Sequence, residues 1–288
     1  MSEKSEKSVF ITGAATGIGE ALALKLDQMG WRVFGTYNRT PPDELIKKAS
    51  SRLIMMKCNV VDPDDIKRAA ETVKNALGDA GLSLLINNAA MTGAPGPVET
   101  LNLDEFHFLM EVNFWGPLRI CQAFLPQLRK YGNARILIVS STSVYLTIPL
   151  GSTYPTSKSA LSALTRHLRM EMEPFDIQVA ALEPGGVKTK MTGFSKEEEI
   201  ACWAAIPPHL LPLYQKYFSF PGDQIQENFE LWPPVRFAEK VYKKIILAKK
   251  WKPVYIIGPS VSALPIMHRL LSRKRIEKIF KKLFGVKF

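Results

Sequence analysis

Short apolar runs alternate with amphipathic stretches along most of this chain. Val9–Ile11 enters T-G-A-A-T-G-I-G (Thr12 to Gly19), and the following A-L-A-L-K-L places its apolar residues at helical spacing. Arg32–Tyr37 predicts a second strand, and Leu53–Cys58 a third, followed by a helix from about Asp64 to Leu77. Leu82–Ile86 predicts a fourth strand, running into N-N-A-A (Asn87 to Ala90). A long helix over Glu105–Leu128 is expected to break or kink near Gly116-Pro117, because proline removes a helix hydrogen bond and crowds the preceding turn. Arg135–Val139, Ile177–Leu182 and Pro253–Ile257 predict three more strands, with helices beginning near Ser152 and over Phe237–Ala248 between them. Strands and helices alternating at this rhythm specify an α/β fold, a doubly wound and mostly parallel sheet of about seven strands with helices on both faces.

In such sheets ligands bind beyond the carboxyl ends of the strands, and Gly13, Asn87, Ser141 and Pro184 all fall at that edge. Strand, glycine turn and helix in that order make a phosphate-binding crossover, where glycine lets the backbone approach a pyrophosphate and the helix N-terminus faces its charge. The spacing here is G-x-x-x-G-x-G, a departure from G-x-G-x-x-G. Taken alone, these glycines also fit a tight turn without a ligand. The second strand ends T-Y-N-R. An acid at that point would bind the ribose 2′-hydroxyl of NAD, whereas arginine accommodates the 2′-phosphate of NADP. Tyr37 and Asn38 are neutral and Arg39 follows, which favours NADP(H) and leaves NAD(H) open; a solvated loop charge is the plainer reading of Arg39.

Ser141 to Lys158 carries the candidate chemistry. Tyr154 and Lys158 are four residues apart, so a helix starting near Ser152 projects both from one face. Pro155 suits the first turn, where its missing N–H would be unpaired anyway. A tyrosine titrates near ~10, and an adjacent ammonium lowers that value by favouring phenolate. The pair would then exchange a proton with an alcohol or ketone near neutral pH. A half-buried ring beside a snorkelling lysine stem has the same spacing.

Five ordered motifs between Val9 and about Thr189 resemble the short-chain dehydrogenase/reductase family of the single-domain, Rossmann-like type. They are T-G-A-A-T-G-I-G, N-N-A-A, the helix asparagine Asn113, Ser141 with Tyr154-x-x-x-Lys158, and P-G-G-V-K-T. The thirteen-residue step to Tyr154 selects Ser141 over Ser140 and Ser143. The resemblance implies an oxidoreductase in which Tyr154 is the acid/base and Lys158 lowers its pKa and holds the nicotinamide ribose. Ser141 would hold the substrate oxygen, and Asn113 would position a water relaying protons to Lys158. Thr12, Gly13, Gly17, Ile18 and Gly19 would line the pyrophosphate and adenosine side, with Asn38 and Arg39 at the ribose and Asn59 and Val60 near the adenine. Asn87 and Ala89 would flank the cofactor ribose, and Pro184, Val187 and Thr189 the nicotinamide end. Asn59 stands where the family often has aspartate, and Ala90 replaces the usual glycine of N-N-A-G. Pro155 disfavours a helical Tyr154, which would shift the helix start. No metal is implied. The family is commonly dimeric or tetrameric, so a homo-oligomer is expected. A 3-oxoacyl thioester reductase and a catalytically silent dinucleotide-binding scaffold are the competing readings.

Composition then narrows the picture. At 46% hydrophobic and 23% charged, the 288 residues match a globular chain and not a disordered one. The organisation expected is one domain over residues 1–288, with 190–235 as substrate loop or lid and 262–288 as a basic amphipathic C-terminal helix. Three cysteines without a C-x-x-C pair, a polar start and no long apolar run predict a reduced, cytoplasmic protein. The net charge of +11 is uneven: residues 236–288 hold fifteen Lys or Arg against Glu239 and Glu277, leaving the rest faintly acidic.

Residues 190–235 are rich in large apolar side chains, among them Met191, Phe194, Trp203, Leu213, Tyr217, Phe220, Phe229 and Trp232. They imply either a deep pocket for a small apolar substrate molecule, a bulky and poorly polar alcohol or ketone, or helices packed onto the body or a dimer partner. The pattern is most similar to family members acting on steroids, retinoids or hydroxybutyrate. In the tail, Leu270, Leu271, Ile276, Ile279, Phe280, Leu283 and Phe284 form an apolar stripe against a basic face. That helix would lie on an anionic membrane surface as a peripheral contact, or dock its stripe on the domain. Nucleic acid is disfavoured, since the basic face carries no interleaved aromatics.

Overall fold

The computed structural model describes residues 7–192, 196–218, 230–259 and 261–286, so Phe194, Phe220 and Phe229 lie outside the described residues. Seven strands form one sheet: Ser8–Ile11 (β1), Arg32–Tyr37 (β2), Leu53–Lys57 (β3), Leu84–Asn87 (β4), Arg135–Val139 (β5), Gln178–Pro184 (β6) and Val254–Ile257 (β7). Their order is β3-β2-β1-β4-β5-β6-β7, and every pairing is parallel, not merely most of them. β1 has β2 on one side and β4 on the other, so the strand order reverses beside the glycine loop and opens a crevice there.

Helices cover both faces: Gly17–Gln28 (α1), Asp43–Ile46 (α2), Pro63–Leu77 (α3), Leu103–Met110 (α4), Gly116–Tyr131 (α5), Thr153–Met172 (α6), Lys196–Ala204 (α7), Leu211–Tyr217 (α8), Pro234–Val241 (α9), Leu264–Leu270 (α10) and Arg273–Leu283 (α11). A parallel sheet buried on both sides needs strands that are apolar throughout, and this is how β1, β4 and β5 read. Side-chain alternation divides β1: Val9 and Ile11 pack with Leu22 and Leu26 of α1 and Phe237 and Val241 of α9. Phe10 joins Phe124 of α5 and Leu161 of α6 on the other face, with Phe10 and Phe124 ring centroids 4.1 Å apart.

The irregularity in the long central helix falls earlier than proline alone predicts. A π-turn occupies Glu111–Trp115, and Pro117 follows it directly at the start of α5. α6 starts where expected and includes Tyr154, with Pro155 third in the helix; its missing N–H is among those left unpaired at any helix start. The anticipated shift of that start does not occur. Ala90 adopts no positive φ, so the absence of glycine there needs no strained backbone.

The tail is two helices, not one. Leu271 is extended (φ −103°, ψ 145°) and Ser272 (ψ 151°) caps the second helix, turning the chain into a hook. Ile276, Phe280 and Phe284 bury themselves with Met267 and Leu271 against Leu146 and Ile148 on the body. Leu270 and Ile279 stay outside at 73% and 41% exposure, so the break at Ser272 narrows the predicted stripe.

Candidate active site

One cavity of about 600 Å³ opens at the carboxyl edge of the sheet and receives most of the candidate residues. Gly13, Gly17 and Ile18 line one part, and Asn38, Arg39, Asn59 and Val60 another. Ala89, Pro184, Val187 and Thr189 stand between these and Ser141, Tyr154 and Lys158. A second cavity of about 630 Å³ lies between α3 and α5, away from these groups.

Gly13 (φ 64°) and Gly17 (φ 61°) occupy the left-handed region that favours glycine, which bends the loop back beneath the start of α1. Gly19 answers a different need: a Cβ there would stand 2.1 Å from the Gly13 carbonyl oxygen. Thr16 gives α1 no side-chain cap, which leaves first-turn N–H groups available beside the cavity. Thr12 is buried and outside the lining; its hydroxyl accepts the N–H groups of Asn88 (2.9 Å) and Ala89 (3.0 Å). Thr12 and Gly19 therefore shape the loop from behind.

The N-N pair requires a correction. Asn87, expected at the cofactor ribose, shares the Leu85 face of β4 and turns toward α5, where its Nδ2 donates to Cys121 Sγ at 3.3 Å. Asn88 lines the cavity instead, and its Nδ2 donates to the carbonyls of Thr12 and Gly13, both at 3.0 Å. Strand alternation was the signal that distinguishes the two. At the β2 end Arg39 is exposed and makes no ion pair among the described residues. The side-chain oxygen of Asn59 accepts the N–H of Val61 (3.3 Å), and Asp65 accepts the N–H of Asn59 (2.8 Å).

β5 delivers Ser141 in extended conformation, and its Oγ accepts the N–H of Ser143 at 3.1 Å. Neighbouring hydroxyls fix the frame: Thr142 donates to the Pro184 carbonyl (2.9 Å) and Ser140 to the Lys158 carbonyl (3.2 Å). Lys158 is 1% exposed, with Nζ donating to the Val139 carbonyl at 3.0 Å and lying 5.7 Å from the Tyr154 ring centroid. Burial pushes the Lys158 ammonium down to about 7. Burial also pushes the half-buried Tyr154 phenol up to about 12, while a hydrogen bond with Ser141 pulls it the other way. The expected lowering of the Tyr154 pKa by Lys158 is thus not seen in the protein by itself: burial dominates, and the ammonium is turned toward the Val139 carbonyl.

Asn113 also differs from expectation. It sits in the π-turn, fully buried and outside the cavity lining. Its oxygen accepts the Met91 N–H (2.9 Å), and its Nδ2 donates to the Met91 carbonyl (2.9 Å) and Ser157 Oγ (3.0 Å). The side chain is therefore occupied pinning the 91 loop and α6 together.

A glycine-loop crevice meeting a Ser-Tyr-Lys set in a parallel sheet defines a nucleotide-binding oxidoreductase of Rossmann type. Residues 7–200 match the family described as short chain dehydrogenase, and the chain belongs to that family. It is 38% identical over 218 residues to mouse retinol dehydrogenase 5, an alignment covering 74% of this chain and 68% of that protein. It is 33% identical to mouse estradiol 17-beta-dehydrogenase 2, covering 78% of this chain and 56% of that one. Human dehydrogenase/reductase SDR family member 9 is 31% identical, with 80% and 75% covered. Among solved structures, a short-chain dehydrogenase from Streptomyces avermitilis superposes with TM-score 0.78 at 26% identity, covering 98% of this chain and 99% of that one. A short chain dehydrogenase from Burkholderia cenocepacia in complex with NADP shares the fold at TM-score 0.73 and 20% identity, covering 96% and 98%.

Proposed function

We propose that this protein transfers hydride between NADP(H) and a bulky apolar alcohol or ketone of steroid, retinoid or lipid type. The observation that carries the reading is the convergence of Ser141, Tyr154 and Lys158 with the glycine loop in one largely apolar cavity. The residues fit a dinucleotide: two left-handed glycines and the uncapped start of α1 offer N–H groups to a pyrophosphate. The bound nicotinamide supplies the hydride chemistry. Tyr154 exchanges the proton with the substrate oxygen, Ser141 holds that oxygen, and Lys158 lies behind them at the ribose. Met191, Thr192 and Leu231 extend the cavity wall into residues 190–235, in keeping with a substrate loop, and Lys188 N–H closes its base on the Trp232 carbonyl at 2.9 Å. The silent-scaffold alternative is disfavoured because all three reacting side chains share the cavity. Retinol and estradiol dehydrogenases among the relatives favour an apolar alcohol over an acyl thioester.

Titration with NADPH and NADH, followed by nicotinamide fluorescence, tests the cofactor. Arg39→Ala is expected to weaken NADPH about tenfold or more, as loss of a charge-assisted contact does, and to leave NADH unchanged. A preference for NADH indifferent to Arg39 would remove the 2′-phosphate reading.

No helix among the described residues is long and apolar enough to cross a membrane. The hook nevertheless keeps Arg273, Lys274, Arg275 and Lys278 exposed beside exposed Ile266 and Leu270, a combination suited to an anionic lipid surface. Flotation with phosphatidylserine vesicles should capture the wild type and lose Lys274→Glu/Lys278→Glu. Equal flotation of both would discard the lipid contact.

A further inference from the structure

A buried carboxylate beside the site has no place in the hydride-transfer scheme. Glu183, 3% exposed near the end of β6, stands beside the phenol of Tyr145, and its Oε2 is buried without a hydrogen-bond partner. A buried carboxylate is costly to keep, so its place beside Tyr145 invites a functional account. Tyr145 ends the short 3₁₀ turn Thr142–Tyr145 that follows Ser141, and Leu146 and Ile148 just beyond it line the cavity. On its other side Tyr145 meets the hook twice. His268 Nε2 lies 2.7 Å from the Tyr145 carbonyl oxygen, and the two rings stand edge to face at 5.5 Å. The hook's Ile276, Phe280 and Phe284 cover the outer side of Leu146 and Ile148, and Leu264 at its start reaches the cavity itself.

We infer that Tyr145 is a specificity-determining positioning residue, anchored from within by Glu183 and clamped from outside by His268, so that the hook serves as the removable outer wall of the substrate cavity. The inference rests on the apolar-substrate reading above. Glu183 sets where the Tyr145 ring stands. The ring and the adjacent carbonyl set where His268 holds Leu264–Leu270. That helix, with the one after it, then presses Leu146 and Ile148 toward the substrate. A bulky apolar substrate spans this wall, whereas a small alcohol reaching only Ser141 and Tyr154 does not. The latch therefore acts on binding of the large substrate and leaves proton exchange at Tyr154 alone.

The test compares Tyr145→Phe, Glu183→Gln and His268→Ala in the full-length protein, with a steroid-sized secondary alcohol and a four-carbon one as substrates. Tyr145→Phe removes the phenol and keeps the ring; Glu183→Gln keeps an acceptor facing it; His268 is exposed, so its loss spares the core. Tyr145→Phe and His268→Ala should each raise KM for the large alcohol about tenfold, the scale of one lost hydrogen bond to a charged or well-packed partner. Their kcat and nicotinamide affinity should stay near wild type, the small alcohol should be unaffected, and Glu183→Gln should lie close to wild type. Equal losses on both alcohols, or weakened nicotinamide binding, would reduce Tyr145 to a structural residue and overturn the inference. Hydrogen exchange of the 264–284 segment supplies a readout independent of turnover. It should accelerate in Tyr145→Phe and His268→Ala, and unchanged protection would equally overturn the latch. If the wild type turns over neither alcohol while this acceleration is seen, the substrate reading fails and the latch stands.

Discussion

Replacing Tyr154 with phenylalanine should cut turnover of an alcohol or ketone about a thousandfold while leaving nicotinamide binding within about twofold, the size expected when a positioned acid/base is removed. Phenylalanine keeps the ring in α6 and its place near Lys158, so the change deletes one O–H and little packing. With the phenol held up to about 12, Tyr154 is protonated at neutral pH in the protein by itself. It is therefore ready to donate to a carbonyl oxygen, and in alcohol oxidation its proton must first be drawn away. Steady-state rates in both directions, with fluorescence titration as the control for fold and cofactor, measure this directly. Activity within tenfold of wild type would mean that another group moves the proton.

The second large effect is a pH dependence of stability centred on Lys158. Its folded pKa of about 7 lies below the ordinary value of 10.5, so between those values the unfolded chain binds more protons than the folded one. Stability then rises with pH across that window, and the cost of burying the ammonium is fully felt only below pH 7. At about 1.4 kcal/mol per pH unit, Lys158 contributes about 2–3 kcal/mol between pH 7.5 and 9.5, and the buried thiols of Cys58 and Cys121, pushed up to about 12, begin to offset this as pH nears 9. Tyr154 works against this only above pH 10, where the unfolded chain ionises before the buried phenol does. Urea unfolding of the cofactor-free protein at several pH values should show the slope, and Lys158→Met should flatten it and raise stability at pH 7.5. An unchanged slope in Lys158→Met would place the titration elsewhere.

The sheet was legible because its strands are short, continuous apolar runs bounded by turns, and a strand buried on both faces has few other ways to look. Ser141, Tyr154, Lys158 and the glycine loop were legible for a related reason, since helix spacing and strand-end position together decide where they meet. What escaped depended on orientation or on competition between energies. Asn87 and Asn88 are adjacent and chemically identical, and only the pleat decides which one faces the crevice. Asn113 reads as a free polar residue until the π-turn rotates it onto Met91 and Ser157. The direction of the Tyr154 shift depended on burial and on Lys158 turning to a backbone carbonyl, neither of which spacing supplies. The tail's heptad-like stripe hid a break at Ser272, where neither glycine nor proline marks the stop.

The order of the strands also bears on synthesis. Chains emerge from the ribosome amino end first, and domains tend to form as their segments appear. By Pro184 six of the seven strands exist, together with Ser141, Tyr154, Lys158 and the glycine loop. β7 and the hook come last, and β7 must add to the β6 edge before the hook can reach Leu146 and Ile148. A growing chain thus completes the glycine loop and the Ser141, Tyr154 and Lys158 set well before the hook proposed to wall the cavity. Until β7 and the hook have been made and joined to the body, the wall proposed to select the substrate is missing.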